Sequence, residues 1–175
     1  MSTRGRTLDW ARRCSLAAIS LLAFSSACSA DERRWRIFEQ TDGALLAPSN
    51  SDDATDDVGS PSFRCQSHSG TVVVAGTATQ GLRNAVADLI RSNGYPQVEL
   101  IPPSSLGPAL LTVSYSEASA VWEYGFSLEI AEPAFDAFKR SGRLTFKVGS
   151  TVVREEFKAG IDSVAKFQAI CKRSK

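Results

Sequence analysis

The run Ser15–Phe24, SLAAISLLAF, stands behind Arg4, Arg6, Arg12 and Arg13 and ahead of the small residues of Ser25–Ala30. A positive n-region, a short apolar h-region and a small-residue cleavage site together make a secretory signal. The run is about half of the roughly 20 residues that span a bilayer, so it reads as an export address and not as a permanent membrane helix. This constrains the rest of the chain most. It marks residues 1–30 as a signal peptide and residues 31–175 as a single exported domain, and it sets the redox compartment.

Two processing routes are open. Cys28-Ser29-Ala30 fits the small-x-small pattern, with cleavage before Asp31. Ser25-Ser26-Ala27-Cys28 resembles a bacterial lipobox, which would leave a lipid on Cys28 and tie the same domain to a membrane. Ser25 occupies the position where lipoboxes carry a Leu-like residue, which favours plain cleavage. Arg12-Arg13 hints at a twin-arginine signal, but Ser15 falls where that signal needs a hydrophobe. The expected location is periplasmic or secreted, with a lipid-anchored envelope protein as the alternative.

Removing residues 1–30 takes away four Arg and one Asp, leaving 16 positive and 18 negative side chains, a net of −2 in place of +1. That balance offers no electrostatic case for nucleic acid, nor for a membrane surface unless Cys28 is lipidated. Cys14 leaves with the signal and Cys28 is discarded or lipidated, so Cys65 and Cys171 remain as an even pair in an oxidising compartment. A disulfide between them closes a loop of about 107 residues, worth roughly 4–5 kcal/mol in the chain-entropy model.

The mature sequence alternates strand and turn signals. Arg34–Gln40 places Trp35 and Ile37 on one face, Asp42-Gly43 reads as a hairpin turn, and Ala44–Ala47 follows. Residues 48–62 contain no large apolar residue except Val58 and read as a solvated loop and candidate contact surface. Phe63–Gln66 and Thr71–Ala75 bracket a turn at Ser67–Gly70, and the TVVVA run has the look of a strand covered on both faces. Leu82, Ala85, Val86, Leu89 and Ile90 form a helical stripe, stopped at Asn93-Gly94. After Val98–Ile101 and the turn-rich SSLGP, Leu110–Ser116 precedes the clearest alternation in the chain. There Trp122, Tyr124, Phe126, Leu128 and Ile130 are expected on a core face. Pro133 opens and Gly142 closes a short helix, a hairpin turns at Gly149-Ser150, and Asp162 or Ser163 caps a last helix carrying Val164, Phe167, Ile170 and Cys171. The expected fold is α+β, an antiparallel sheet-rich single domain, sandwich- or barrel-like, with about three helices.

Candidate chemistry is sparse. Gly76–Gly81, GTATQG, follows a strand and opens a helix as a phosphate-binding loop does, but Leu82 and Arg83 replace the Lys and Ser/Thr the chemistry needs. Two readings are left for Gly76 and Gly81: an anion-binding turn, and the plainer strand-to-helix turn. Asp52, Asp53, Asp56 and Asp57 do not fit a calcium loop: the Gly falls one residue late and Arg64 stands where a bidentate Glu belongs. His68, the single histidine, sits in a turn with Ser67 and Ser69 too close in sequence for a triad, and it rules out multi-His zinc sites. Glu123 and Glu129 share a strand face but lie roughly 20 Å apart along it, too far for a glycosidase pair. A cross-strand acid pair involving Glu155 or Glu156 stays open. No metal, cofactor or catalytic residue is expected.

Trp35 soon after the signal, Cys65 in a strand, the PAFDAFKRSGRLTFKV segment and the closing DSVAKFQAICK resemble small bacterial envelope proteins, loosely the invasion-associated locus B family. That resemblance implies a periplasmic accessory role without a known active site. The expected function is a non-catalytic interaction protein of the bacterial envelope or secreted medium, whose partner is another envelope or secreted protein. A small carboxylate-dependent hydrolase and a small-ligand-binding module are the alternatives.

Overall fold

The structure, a computed structural model, describes residues 33–52, 58–157 and 161–173. Its architecture follows from hairpins. Strand β1 (Arg34–Gln40) turns through Thr41-Asp42 into β2 (Gly43–Ser49), which pairs with β3 (Ser62–Gln66); β3 returns through Ser67–Gly70 as β4 (Thr71–Thr77). Helix α1 (Gln80–Arg91) leads to β5 (Gln97–Ile101), and β6 (Ala109–Leu110) runs through Leu111 into β7 (Thr112–Ser116). Then come β8 (Val121–Glu129), α2 (Pro133–Ser141), β9 (Arg143–Val148), β10 (Thr151–Glu156) and α3 (Ile161–Cys171). The sheets are antiparallel, ordered β1-β2-β3-β4-β8-β7 and β10-β9-β5-β6. This is an α+β sheet-rich fold with three helices among the described residues, as the sequence led one to expect, and neither sheet closes into a barrel.

One continuous stretch, residues 109–116, serves both sheets: β6 bonds to β5 and β7 bonds to β8. The sheets face each other across aromatic contacts, with Phe146 of β9 at 5.4 Å from Tyr124 and 5.1 Å from Phe126 of β8. At the other end, Trp35 packs edge-on against Phe63, Phe138 and Phe157, and its buried indole N–H donates to the Gly142 carbonyl at 2.9 Å. Such edge-to-face pairs add about 0.5–1.5 kcal/mol beyond area burial.

The helices end where their caps dictate. Thr79 accepts from the Leu82 N–H, and α1 closes with Asn93 in the left-handed region while Gly94 N–H returns to Leu89 C=O at 2.8 Å. That is a Schellman stop. Pro133 begins α2, and Gly142 at φ 70° ends it. The carbonyls at the end of α3 are satisfied by the β3–β4 turn: His68 N–H bonds Ile170 C=O and Gly70 N–H bonds Cys171 C=O, both at 2.9 Å. Beside them Cys65 and Cys171 form the expected disulfide, with Cα atoms 5.7 Å apart and both residues buried.

Several expectations are corrected. The first hairpin turns at Thr41-Asp42; Gly43 is already in β2, where a Cβ would sit 2.0 Å from the Cys65 carbonyl oxygen. That glycine answers to close strand approach, not to turn geometry. The loop expected over 48–62 is shorter, because Pro48 and Ser49 complete β2, both buried, and Ser62 begins β3. Residues 53–57 of its acidic run lie outside the described residues; Asp52 pairs with Arg36. Strand β4 is covered on one face only: Val72 and Val74 are buried while Val73 is 49% exposed. It is β2 whose residues are buried on both faces, with Ala44 and Leu46 in the main core and Leu45 and Ala47 clustered with Phe38 on the other side. On α1 the stripe is narrower than its sequence implies, since Leu82 and Val86 are buried but Ile90 is 58% exposed. Trp122, expected in the core, is 40% exposed near the start of β8.

The disulfide ties the last helix to an early strand over 106 positions. Replacing Cys65 and Cys171 by Ser together is expected to lower unfolding free energy by about 4 kcal/mol, measured by urea titration. Intact mass with and without reductant should differ by two hydrogen atoms; two free thiols in native material would remove the staple.

Candidate functional site

The strongest candidate surface is the free edge of β7. In the β4–β8–β7 ladder, Trp122 C=O accepts from Ala78 N–H at 2.7 Å on the β4 side. The facing pair Tyr115–Trp122 is therefore one that exchanges no ladder hydrogen bonds, and the Tyr115 N–H and C=O point away from β8. Period two puts those of Val113 outward as well, on the side where Leu111 N–H meets Pro96 C=O. Neither Val113 nor Tyr115 has a backbone partner on that side among the described residues.

This edge lacks the usual protection. Natural edges carry Lys, Pro or inward charges, or are very short. Edge strand β1 carries Arg34, Arg36 and Glu39; β10 carries Arg154, Glu155 and Glu156; β6 has two residues. Strand β7 reads TVSYS, with no charge and no proline.

Two aromatic rings stand at its end. Tyr115 and Trp122 are 51% and 40% exposed, with ring centroids 5.7 Å apart at 62°. The Arg83 guanidinium, from the first turn of α1, lies 5.6 Å from the Trp122 ring centre, a cation–π contact that holds the indole in place. Gln80 accepts from Arg83, and no acidic side chain occupies this first turn. Rigid, half-exposed aromatics with an arginine are the composition that dominates interface energetics.

The residues singled out from sequence are placed as follows. Gly76 lies inside β4, paired with Tyr124, where a Cβ would come 2.5 Å from the phenol ring; its role is to admit that ring. Gly81 is in the first turn of α1. The two therefore do not share one turn, and Thr79 supplies the cap between them. His68 is exposed at φ 58°, and its Nδ1 lies 3.3 Å from Lys172 C=O, so it belongs to the clamp on α3. Cys28 lies outside the described residues.

The acid-pair question resolves into two separate contacts. Glu156 holds Arg143 bidentately at 2.7 and 2.9 Å. Glu155 accepts from the Tyr124 hydroxyl at 3.0 Å, half-buried between the sheets. Burial pushes the Glu155 carboxyl above its usual range, against the opposing effect of the tyrosine bond. Burial first, and then the charge of Glu155, hold the Tyr124 phenol far above its usual range, so it stays a donor. Among the described residues, the side-chain partners of Glu155 and Glu156 are Tyr124 and Arg143, and neither is a carboxylate. Among the described residues no group of three or more His, Cys, Asp or Glu gathers to hold a metal, and no described helix is long and apolar enough to cross a membrane.

Comparisons with protein-family models, with curated proteins and with solved structures return no match. The edge of β7 was missed from sequence. The signal for it was present in TVSYS, an uncharged strand with a tyrosine, but which strand lies outermost is a property of the topology.

A folded-state carboxyl raised above its unfolded value stabilises below the unfolded titration and loses that contribution as pH rises through the folded one. Stability measured by thermal melts from pH 4 to 8 should therefore fall with pH through the Glu155 titration. Glu155→Gln, which keeps an acceptor for Tyr124 and has no charge to desolvate, should remove that component of the slope. An unchanged slope would sink the assignment. Gly76→Ala is expected to cost about 1–3 kcal/mol by forcing the Tyr124 ring to shift, read in the same melts.

Proposed function

We propose that this domain is a non-catalytic interaction protein of the bacterial envelope or the secreted medium, which takes an extended segment of another exported protein onto the edge of β7. The observation that carries the reading is the uncharged, unpaired edge at Val113 and Tyr115, flanked by the exposed Tyr115–Trp122 pair and Arg83. An added strand gains main-chain hydrogen bonds from such an edge, and flanking side chains select the partner. Export rests on the Ser15–Phe24 segment; a disulfide buried in the core is compatible with an oxidising compartment. The resemblance to invasion-associated locus B proteins agrees with an accessory role and adds no partner. Lipidation at Cys28 would place the same edge at a membrane surface without altering it.

A photoreactive phenylalanine analogue at Tyr115, crosslinked in intact cells, is expected to give one reproducible adduct with an envelope or secreted protein. The same label at Val152, exposed on β10, should not give that adduct. Val113→Pro removes an outward N–H and should abolish the adduct while the protein remains folded by circular dichroism. An adduct that survives Val113→Pro, or no reproducible adduct, would overturn strand addition at this edge.

A further inference from the structure

Helix α1 has three flanks with different neighbours. Leu82 and Val86 face the core. Asn84, Ala85 and Asp88 share a hollow with Gly149–Thr151 at the β9–β10 turn. Arg83, Ala87 and Ile90, spaced by four and three, make a row on the remaining side, turned away from that hairpin. Arg83 fixes the direction of the row, because its guanidinium stacks on Trp122, the residue facing Tyr115. At the other end of the segment, Pro96 C=O accepts from Leu111 N–H, just ahead of β7. Residues 83–96 are therefore tied near both ends of β7, and the free edge at Val113 and Tyr115 lies between the ties. Ala87, Ile90 and Tyr95 are all exposed. An uncovered apolar row is thus left beside an unpaired strand edge.

Arg83 is short of acceptors. A guanidinium has five N–H donors, and the Gln80 side chain takes one. Its Nε–H is shut off from solvent and meets no acceptor. A buried donor left without a partner costs about 1–3 kcal/mol. Stacking on an indole leaves the in-plane donors of a guanidinium open, the arrangement that receives a carboxylate in two parallel bonds. No carboxylate does so among the described residues. Asp88 pairs with Arg91, Glu123 and Glu129 lie on the face of β8 opposite Trp122, and the first turn of α1 holds no acid.

On the reading of β7 as a site of strand addition, on which this inference rests, we propose that the incoming segment carries a glutamate opposite Tyr115 and a branched apolar side chain two residues away, opposite Val113. Two residues is the repeat of one strand face, and Tyr115 and Val113 share the face that carries Trp122. The carboxylate completes Arg83, and the apolar side chain lies between Val113 and the exposed Ile90. Glutamate has the reach that aspartate lacks, since the carboxylate must pass the Tyr115 ring, 5.7 Å from that of Trp122. A lysine or arginine in its place would meet like charge on Arg83 and the positive end of α1. The partner is therefore an acidic and apolar extended segment of an exported protein, and not a basic one.

The heptapeptide acetyl-Thr-Ile-Thr-Glu-Thr-Ile-Thr-amide, which offers the same face in either direction, tests this against two relatives. One has Gln for Glu and the other Ala for both Ile. The Val113 and Tyr115 amide shifts of the purified protein are expected to move saturably with the first peptide. The Gln peptide should bind about tenfold more weakly, as loss of a charge-assisted hydrogen bond requires, and the Ala peptide several-fold more weakly. Arg83→Gln should erase the preference for Glu over Gln and keep that for Ile over Ala; Ile90→Ala should reduce the second and keep the first. Equal binding of the Glu and Gln peptides overturns the proposal and leaves strand addition standing. So does a preference for Glu that survives Arg83→Gln. No saturable shift with any of the three at millimolar concentration also overturns it, and the Tyr115 crosslink then reports separately on strand addition. The peptides are compared on the unaltered protein, so the comparison decides even where Arg83→Gln does not fold by circular dichroism.

Discussion

Aromatic packing at Trp35 joins strand β1 to β3, α2 and the residue that follows β10. Its ring meets Phe63 of β3, Phe138 of α2 and Phe157 beyond β10, and stacking continues through Phe135 to Phe167 of α3. The indole N–H bonds the carbonyl of Gly142, the residue that ends α2. One side chain therefore sets the first strand against the connection between α2 and β9. The interaction is strong because it is dry: Trp35, Phe63, Phe135, Phe138 and Phe167 are all fully buried, and the one polar atom among them is satisfied. A helix-terminal glycine serves twice here, giving α2 its left-handed stop and giving Trp35 its acceptor.

The disulfide and the β3–β4 turn act on the same helix from the other side. The end of α3 has carbonyls without intrahelical partners, and the N–H groups of His68 and Gly70 fill two of them. His68 and Gly70 present those groups because both sit at positive φ. The covalent bond adds loop-closure entropy to an arrangement that hydrogen bonds have already specified. With β1 and α3 fastened in this way, the elements between them carry the free edge. The free edge lies on β7, in the stretch that passes from one sheet to the other.

Much of the fold was legible because hairpins and short amphipathic helices are local. The alternation from Val121 to Ile130, the Pro133–Gly142 helix and the Gly149-Ser150 turn each follow from neighbouring residues. The misreadings share a different cause. Val73 and Trp122 are apolar residues at positions the sheet leaves uncovered, and Leu45 and Ala47 are buried on a face that most of the sheet exposes. Periodicity shows which residues share a face; what covers that face is set by elements distant in sequence. Glu155 is the same case in polar form, since its partner Tyr124 lies 31 residues away and in the opposite sheet.

The amino-acid sequence alone determined the strand and helix spans to within a few residues, the C-terminal stop of α1, the two ends of α2, and the pairing of Cys65 with Cys171. These depend on period, turn chemistry and counting. Only the tertiary structure decided that β7 is an outermost strand, that Gly43 and Gly76 answer to close contacts, and that the buried Glu132 carboxylate is held by Ser105. Those properties arise from which segments meet. A residue's own neighbours along the chain carry almost no record of that.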